Sequence, residues 1–253
     1  MPVRYGLSLL NQRIDAVSVV SANKGVRLGA ALFNGDHAHL ADEVARLEAA
    51  GLDFIHHDVF DGHFVSDLGF SPRTIAALRP LTKLPFEVHL GAQQPLRFIP
   101  QLVEAGADLI LVHVESLTML YESIFVMREH KVKVGLVLTL GTPVSAIQSV
   151  ITKIDSVLLL SRITGEGTRG ANFDPLVLTR LRQLQTMAQT AGADQLDIQV
   201  AGGVKREHVA YLVTAGATTL AMGGGIYRVP GMAQEVAEMR KLANSAPKGI
   251  THG

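Results

Sequence analysis

Short apolar runs alternate with amphipathic segments along most of the chain from residue 27 onward. Apolar runs of a few residues bounded by loops are typical of strands, and apolar positions three and four apart are typical of helices that bury one face. Leu40, Val44 and Leu47 show the helical spacing, with Asn34 or Asp36 expected to cap that helix. A last helix is expected near residues 231–243. Eight strands are predicted, at residues 27–33, 54–58, 86–90, 109–113, 134–138, 156–160, 197–201 and 219–223.

A glycine-centred junction recurs where a helix gives way to a strand. It reads A-G-L-D at 50–53, A-G-A-D at 105–108 and 191–194, and A-G-A-T at 215–218. Glycine after a helix allows the left-handed turn that ends it, so four copies indicate a repeated βα unit. Eight such units predict a closed parallel TIM (β/α)8 barrel over residues 27–245, with an N-terminal extension at 1–26 and a C-terminal tail at 246–253. A doubly wound open sheet is the alternative, but no G-x-G-x-x-G follows an early strand.

Composition narrows the class of protein. Hydrophobic residues make up 47% of the 253 residues and charged residues 18%, which predicts a large core rather than disorder. The net charge is zero with Lys and Arg scattered, so neither a nucleic-acid surface nor membrane binding is expected. The absence of cysteine excludes disulfides, thiolate metal sites and a cysteine nucleophile. Without a long apolar run near the N-terminus, a cytoplasmic enzyme or binding protein is expected.

Candidate chemistry is concentrated in F-I-H-H-D-V-F-D-G-H-F at residues 54–64. His56 and Asp58 are two apart in a predicted strand and therefore share a face near its end. An imidazole and a carboxylate so placed suit a divalent metal, and the carboxylate can also accept a proton. His89 ends the next strand and can face this pair across the barrel mouth, and His113 ends the strand after that. A polar strand end with a core histidine is the alternative interpretation.

Glycines after the last two strands form a second candidate site. Backbone N–H groups in the loops after strands 7 and 8 are the usual phosphate cradle of a barrel, although glycine pairs also form simple tight turns. The loop at 161–172 has three glycines and two arginines, which suggests a lid over an anionic ligand or an ordinary solvated loop. The candidate glycines are Gly202, Gly203, Gly223, Gly224 and Gly225, with Gly167 and Gly170 in the lid.

Several of these stretches resemble the ribulose-phosphate 3-epimerase family. H-H-D-V-F-D-G-H-F at 56–64 is similar to that family's H-x-D-V-M-D-G-x-F. F-E-V-H-L, L-V-H-V-E, Thr142-Pro143, the F-D-P at 173–175 and M-G-G-G-I-Y also find counterparts in order. The resemblance extends over residues 28–227, nearly the whole predicted barrel, and on it the chain is identified as a member of the family.

The resemblance implies a specific chemistry. A ketose 5-phosphate would bind with its phosphate on the glycine loops, and a divalent metal (Zn, Fe, Mn or Co) would be held by His56, Asp58 and His89. Asp58 would remove the C3 proton to give an enediolate, and a second aspartate on the opposite face would return a proton. By the same analogy a homo-oligomer is expected.

Departures from the family pattern cluster at the same site. The family's V-D-G-G reads V-A-G-G here, so Ala201 replaces the second aspartate. Ala31, Phe60 and Gly91 replace a serine and two methionines, and the lid is longer and lacks N-P-G-F-G-G. Two hypotheses follow: an epimerase-like isomerase with altered or reduced activity, or a non-catalytic sugar-phosphate-binding barrel. Glu87 and Glu115 are weaker candidates to substitute for the missing carboxylate.

Overall fold

Eight parallel strands form one closed barrel. The structure is a computed structural model that describes residues 25–163 and 172–247. Each strand pairs with the next along the chain, and the eighth closes onto the first, which confirms the predicted TIM barrel. The division into extension, barrel and tail stays a prediction, because residues 1–24 and 248–253 lie outside the described residues. The strands are β1 Arg27–Ala31, β2 Phe54–Phe60, β3 Phe86–Gly91, β4 Leu109–His113, β5 Lys133–Leu138, β6 Ser156–Leu160, β7 Asp197–Ala201 and β8 Thr219–Met222.

Helices surround the barrel and connect its strands. Between β5 and β6 the connection is a 3-10 helix, Val144–Lys153, instead of an α-helix. None of the described helices is long and apolar enough to cross a membrane. The α-helices are α1 Leu40–Ala49, α2 Pro72–Leu78, α3 Ile99–Glu104, α4 Leu120–Glu129, α5 Leu176–Thr190, α6 Arg206–Thr214, α7 Gly224–Tyr227 and α8 Met232–Ser245.

The strands carry two separate apolar layers because successive side chains point to opposite faces. The larger layer packs between the strands and the helices. The smaller layer fills the barrel interior: a Cβ on Gly29 would lie 2.2 Å from the Phe54 ring, and one on Gly135 would lie 2.3 Å from Leu111. The inner layer consists of Phe54, Leu109, Leu111, Val137, Leu158, Leu160, Ala201 and Ala221.

The recurring helix-to-strand junction has a structural role beyond its glycine. In three copies, the side chain of the fourth residue accepts a hydrogen bond from a backbone N–H at the start of the preceding strand. The acceptors are Asp53, Asp108 and Thr218. The donors are Leu28, Phe86 and Ile198, at 2.7, 2.7 and 2.8 Å. These bonds satisfy backbone donors at strand ends and fix the register of neighbouring strands.

Two predictions at the start of the barrel are wrong. Strand β1 ends at Ala31, its last residue paired with β2, and the chain then turns through a 3-10 helix at Leu32–Asn34. Helix α1 begins at Leu40 after His39, so neither Asn34 nor Asp36 caps it. Asp36 instead closes its own turn by accepting a hydrogen bond from the N–H of Ala38 at 2.9 Å. A short polar side chain can satisfy local backbone donors in a turn as readily as at a helix end.

Other strand ends shift by a few residues. β2 and β3 extend further than predicted, to Phe60 and Gly91, because the two strands stay paired up to these residues. β5 begins one residue earlier than predicted, at Lys133, and β8 stops at Met222, before Gly223.

His57 is a buried polar side chain in the outer layer. It is fully buried, its ring packs edge-on against Phe86 at 4.4 Å, and neither ring nitrogen has a hydrogen-bond partner among the described residues. Burial, with a smaller contribution from the neighbouring charge of His56, lowers the pKa of His57 to about 3. The ring is therefore neutral in the folded protein.

We expect His57→Leu to make the protein less sensitive to acid. An unfolded histidine titrates near pH 6.5, so below that pH the unfolded chain binds a proton at His57 that the folded protein does not. The wild-type free energy of unfolding should fall by about 1 kcal/mol more than that of the variant between about pH 7.5 and pH 5.5. Urea unfolding at both pH values measures the difference. Exposed His63→Leu is the control, and equal losses in wild type and His57→Leu would contradict the prediction.

Candidate active site

Three of the predicted site residues converge at the barrel mouth. His56 and Asp58 share the inward face of β2, and His89 lies on β3 directly opposite Asp58 in the strand register. One ligand atom from each of the three lies within 4.8 Å of the others. Oδ1 of Asp58 is 3.1 Å from Nδ1 of His89 and 3.5 Å from Nε2 of His56. Two neighbouring strands thus bring the predicted ligand set to one point.

The chemistry of this donor set fits a divalent cation. Nδ1 of His56 lies 2.7 Å from Oε1 of buried Glu87, and because a carboxylate accepts, Nδ1 carries the proton. The remaining nitrogen, Nε2, faces Oδ1 of Asp58 and becomes available to a cation once it has lost its proton. Two imidazole nitrogens and a carboxylate oxygen suit Zn, Fe, Mn or Co, and three protein ligands leave positions for substrate.

The protonation states at the site follow from burial and close contacts. Burial would raise the pKa of Asp58, but the hydrogen bonds from His56 and His89 outweigh it and hold the pKa well below its usual range. Burial lowers the pKa of His89 to about 4 against the opposing effect of Asp58. For His56, Asp58 and Glu87 together overcome burial and raise the pKa to about 10. An ionised Asp58 and a neutral His89 are the forms that bind metal, whereas a cation must compete with a proton at His56.

A buried polar chain runs below the site into the barrel. Oε2 of Glu87 accepts a hydrogen bond from the amide of Gln199 on β7 at 2.7 Å. The same amide nitrogen lies 2.9 Å from Oδ2 of Asp197, which also accepts a hydrogen bond from Nη1 of Arg27 at 3.3 Å. Gln199 thus supplies a donor between two carboxylates. Gln199 was not predicted to lie near the site, although residues 197 and 199 are two polar positions on the inward face of an otherwise apolar strand.

The mouth is narrowed by aromatic rings. Phe60 meets the His89 ring edge-on at 5.2 Å, and Phe64 lies 4.9 Å from the His113 ring. A Cβ on Gly91 would lie only 2.8 Å from the Phe60 ring. The two departures from the family's methionines, at 60 and 91, are therefore coupled. The Phe60 ring occupies the space that a side chain at position 91 would need.

Ala201 leaves no carboxylate at the end of β7. It is buried among the inner apolar residues and pairs in register with Leu160 and Ala221. Neither candidate substitute is free: Glu87 is bonded to His56 and Gln199, one layer deeper than His89, and Glu115 accepts hydrogen bonds from Thr139 and Thr142. Of these three described carboxylates, Asp58 is the one that lies at the mouth between the His56 and His89 rings.

The glycine loops after β7 and β8 lie against each other. Gly202 and Gly203 have φ of 99° and 71°, values that favour glycine, and a Cβ on Gly225 would lie 2.5 Å from the Val204 carbonyl oxygen. Gly223 approaches the Asn34 amide, where a Cβ would be 2.8 Å away. Both loops thus present half-buried backbone that no side chain of their own covers. Gly167 and Gly170, with most of the predicted lid, lie outside the described residues.

Comparison with known proteins shows the family. The model of the ribulose-phosphate 3-epimerase family matches residues 27–227. The ribulose-phosphate 3-epimerase of Bacillus subtilis is 36% identical over 215 residues, which cover 85% of this chain and 98% of that protein. That of Escherichia coli K12 is 32% identical over 210 residues, covering 83% and 92%. The chain belongs to the ribulose-phosphate 3-epimerase family.

Two solved structures with low sequence identity resemble this chain in fold only. A 3-hexulose-6-phosphate synthase matches with a TM-score of 0.63 and 18% identity, over 85% of this chain and 99% of that one. The KGPDC of Streptococcus mutans matches with a TM-score of 0.66 and 13% identity, over 88% and 99%.

Proposed function

We propose that this protein is a metal-dependent, epimerase-like isomerase that removes the C3 proton of a ketose phosphate, with Asp58 as the base. The observation that carries the proposal is the position of Asp58: an ionised carboxylate between His56 and His89 at the mouth of a family barrel. A carboxylate that stays charged at neutral pH can accept a proton at once. Its two imidazole neighbours fix its orientation toward the mouth.

His56, Asp58 and His89 would hold the divalent metal. When bound, a divalent cation supplies Lewis-acid stabilisation of negative charge on the substrate's carbonyl oxygen, worth several kcal/mol. The chain's own residues orient the ligand set: Glu87 fixes the His56 proton on Nδ1, and the β2–β3 register sets Asp58 opposite His89. The donor set fits Zn, Fe, Mn or Co.

The substrate in this proposal is a small ketose phosphate, with ribulose 5-phosphate first because the relatives are named ribulose-phosphate 3-epimerases. Its phosphate would bind the half-buried backbone after β7 and β8, at Gly202, Gly203, Gly223 and Gly224. Peptide N–H groups without side chains can approach phosphate oxygens closely. Gly167 and Gly170 of the 161–172 loop are proposed to contribute from the lid. The homo-oligomer and the cytoplasmic location stay predictions.

Ala201 sets the limit of the proposed chemistry. Inversion at C3 needs a proton donor on each face of the enediolate, and Asp58 serves one face. The other face lacks a carboxylate from β7, so water would have to return the proton there. Removal and return of the proton by Asp58 should therefore outpace epimerisation. The second candidate function, a non-catalytic sugar-phosphate-binding barrel, is favoured by the same alanine.

The test of the proposal is C3 proton exchange. Metal-loaded protein in D₂O should exchange the C3 proton of ribulose 5-phosphate, seen by proton NMR, and Asp58→Asn should lower the rate by about 10²-fold or more because the amide is no base. Asp42→Asn, which neutralises an exposed carboxylate on α1, is the matched control. Unchanged exchange in Asp58→Asn would remove Asp58 from the mechanism.

A panel of pentulose and hexulose phosphates separates the two candidate functions. Binding without exchange for every member, in protein shown to be folded and metal-loaded, would favour the binding protein over the isomerase.

Restoring the second carboxylate should restore epimerisation. We expect Ala201→Asp to raise the ratio of epimerisation to C3 exchange by about 10²-fold, because a positioned general acid contributes 10²- to 10⁴-fold. Ala201→Asn has nearly the same volume and no transferable proton, so it is the matched control. Product NMR gives both rates, and thermal midpoints show whether the variants fold. A folded, metal-loaded Ala201→Asp with an unchanged ratio would contradict the expectation.

A further inference from the structure

Exposed apolar side chains are concentrated on one helix of the outer ring. Of the nine large apolar side chains that the described part of the chain exposes, four lie between positions 119 and 126. They are Met119, Tyr121, Phe125 and Val126, with exposed fractions of 59, 56, 65 and 38%. Interfaces between proteins are enriched in Tyr, Phe and Met, and a contiguous apolar patch marks a surface that another molecule covers.

Helix α4 presents two of these side chains on the side that faces away from the barrel. Its buried residues are Ser123, Ile124 and Met127. Tyr121 and Phe125 are four residues apart and therefore lie one above the other on the opposite side of the helix. These two rings form an apolar stripe along the helix.

Charges of opposite sign lie on the two sides of this apolar stripe. With 3.6 residues per turn, Glu122 and Glu129 fall on one side of the stripe and Arg128 on the other. Nε and Nη2 of Arg128 donate to the Lys153 carbonyl, both at 2.9 Å, and so place exposed Lys153 on the side of Arg128. Glu122, Glu129 and Lys153 have no ion-pair partner among the described residues.

Two further charged groups beside α4 have partners within the chain. Oδ2 of Asp155 lies 3.2 Å from Nη2 of Arg128. Helix α4 also contacts the turn at Pro95–Arg97, where Arg97 donates to Oε1 of Gln94 at 3.0 Å. The charges left for another molecule on the two sides of the stripe are therefore of opposite sign.

We propose that two copies of this chain bind each other through the outer face of α4, related by a two-fold axis that runs along the apolar stripe. A half-turn about such an axis places the acidic side of one copy against the basic side of the other, and the same contact occurs twice. A partner of a single charge would instead meet one side of like charge. The inference assigns a surface to the expected homo-oligomer, and it does not depend on the proposed metal or reaction.

An interface of this kind has to extend beyond one helix. A stable interface takes about 800 Å² from each partner, so the neighbouring segments Val144–Lys153 and Pro95–Arg97 must contribute to it. The aromatic rings would form the buried centre. The charges would lie at the rim, where they select the orientation of the two copies.

Phe125→Asp tests the apolar centre of the interface. Sedimentation velocity over a concentration series should give the mass of two chains for the unsubstituted protein. The dimer should be about 30-fold weaker or more in Phe125→Asp, because an aromatic side chain at the centre of an interface carries much of the binding energy. Tyr211→Asp is the matched control, since Tyr211 is a 67% exposed aromatic residue on α6. Its dimer should be as strong as that of the unsubstituted protein.

An exchange of charges tests the two-fold arrangement. Glu129→Lys makes both sides of the stripe basic, and Lys153→Glu removes the unpaired positive charge from the basic side. At low salt each variant alone should dimerise more weakly than the unsubstituted protein, because like charges meet at both contacts. An equimolar mixture should form a dimer of one chain of each variant, in which both contacts again join opposite charges.

Three results would overturn the proposal. The first is a single chain at every concentration of the unsubstituted protein, which would assign the face to a partner other than a second copy. The second is a dimer of Phe125→Asp as strong as that of the unsubstituted protein, which would place the interface elsewhere. The third is a mixture of the two charge variants that associates no better than either variant alone. Circular dichroism shows that the variants are folded, as is expected for substitutions of exposed side chains.

Discussion

The carboxylate of Asp58 between the imidazoles of His56 and His89 is the contact on which the functional arrangement depends. A buried carboxylate is costly unless charged or polar partners surround it, and here both partners are also buried. Each imidazole is in turn held by a carboxylate further out, His56 by Glu87 and His89 through His113 by Glu115. Carboxylates and imidazole rings thus form one continuous set of contacts from Glu87 to Glu115.

The pairing register of β2 and β3 brings these site residues together. His89 can face Asp58 only because β2 and β3 pair in parallel with these two residues opposite each other. The junction residues Asp53 and Asp108 tie together the strand pairs on either side, β1 with β2 and β3 with β4. Below the site, Phe54 packs against Gly29 and Leu111 against Gly135, beside the polar chain through Gln199.

Local pattern was enough to predict the strands and the three proposed ligands. His56 and Asp58 share a face by the period of a strand, and His89 follows on the next strand, so their meeting requires only a parallel barrel. Predictions that depended on one short turn failed: β1 ends early, and Asp36 closes a turn instead of capping α1. Gln199 was missed because its partner Glu87 is 112 residues away in sequence. The packing of the Phe60 ring over Gly91 likewise could not be predicted, because the two residues are far apart in sequence.

Metal content tests the central claim most directly. Protein purified without added metal or chelator, analysed for elements beside an Asp58→Ala variant, should contain about one transition-metal ion per chain, since three buried protein ligands suit such an ion. The variant should contain far less, because it loses the charged ligand and keeps only the two imidazoles. Equal metal in both proteins would place the ion elsewhere. No metal in the wild type, even after incubation with Zn, Mn or Co, would contradict the account.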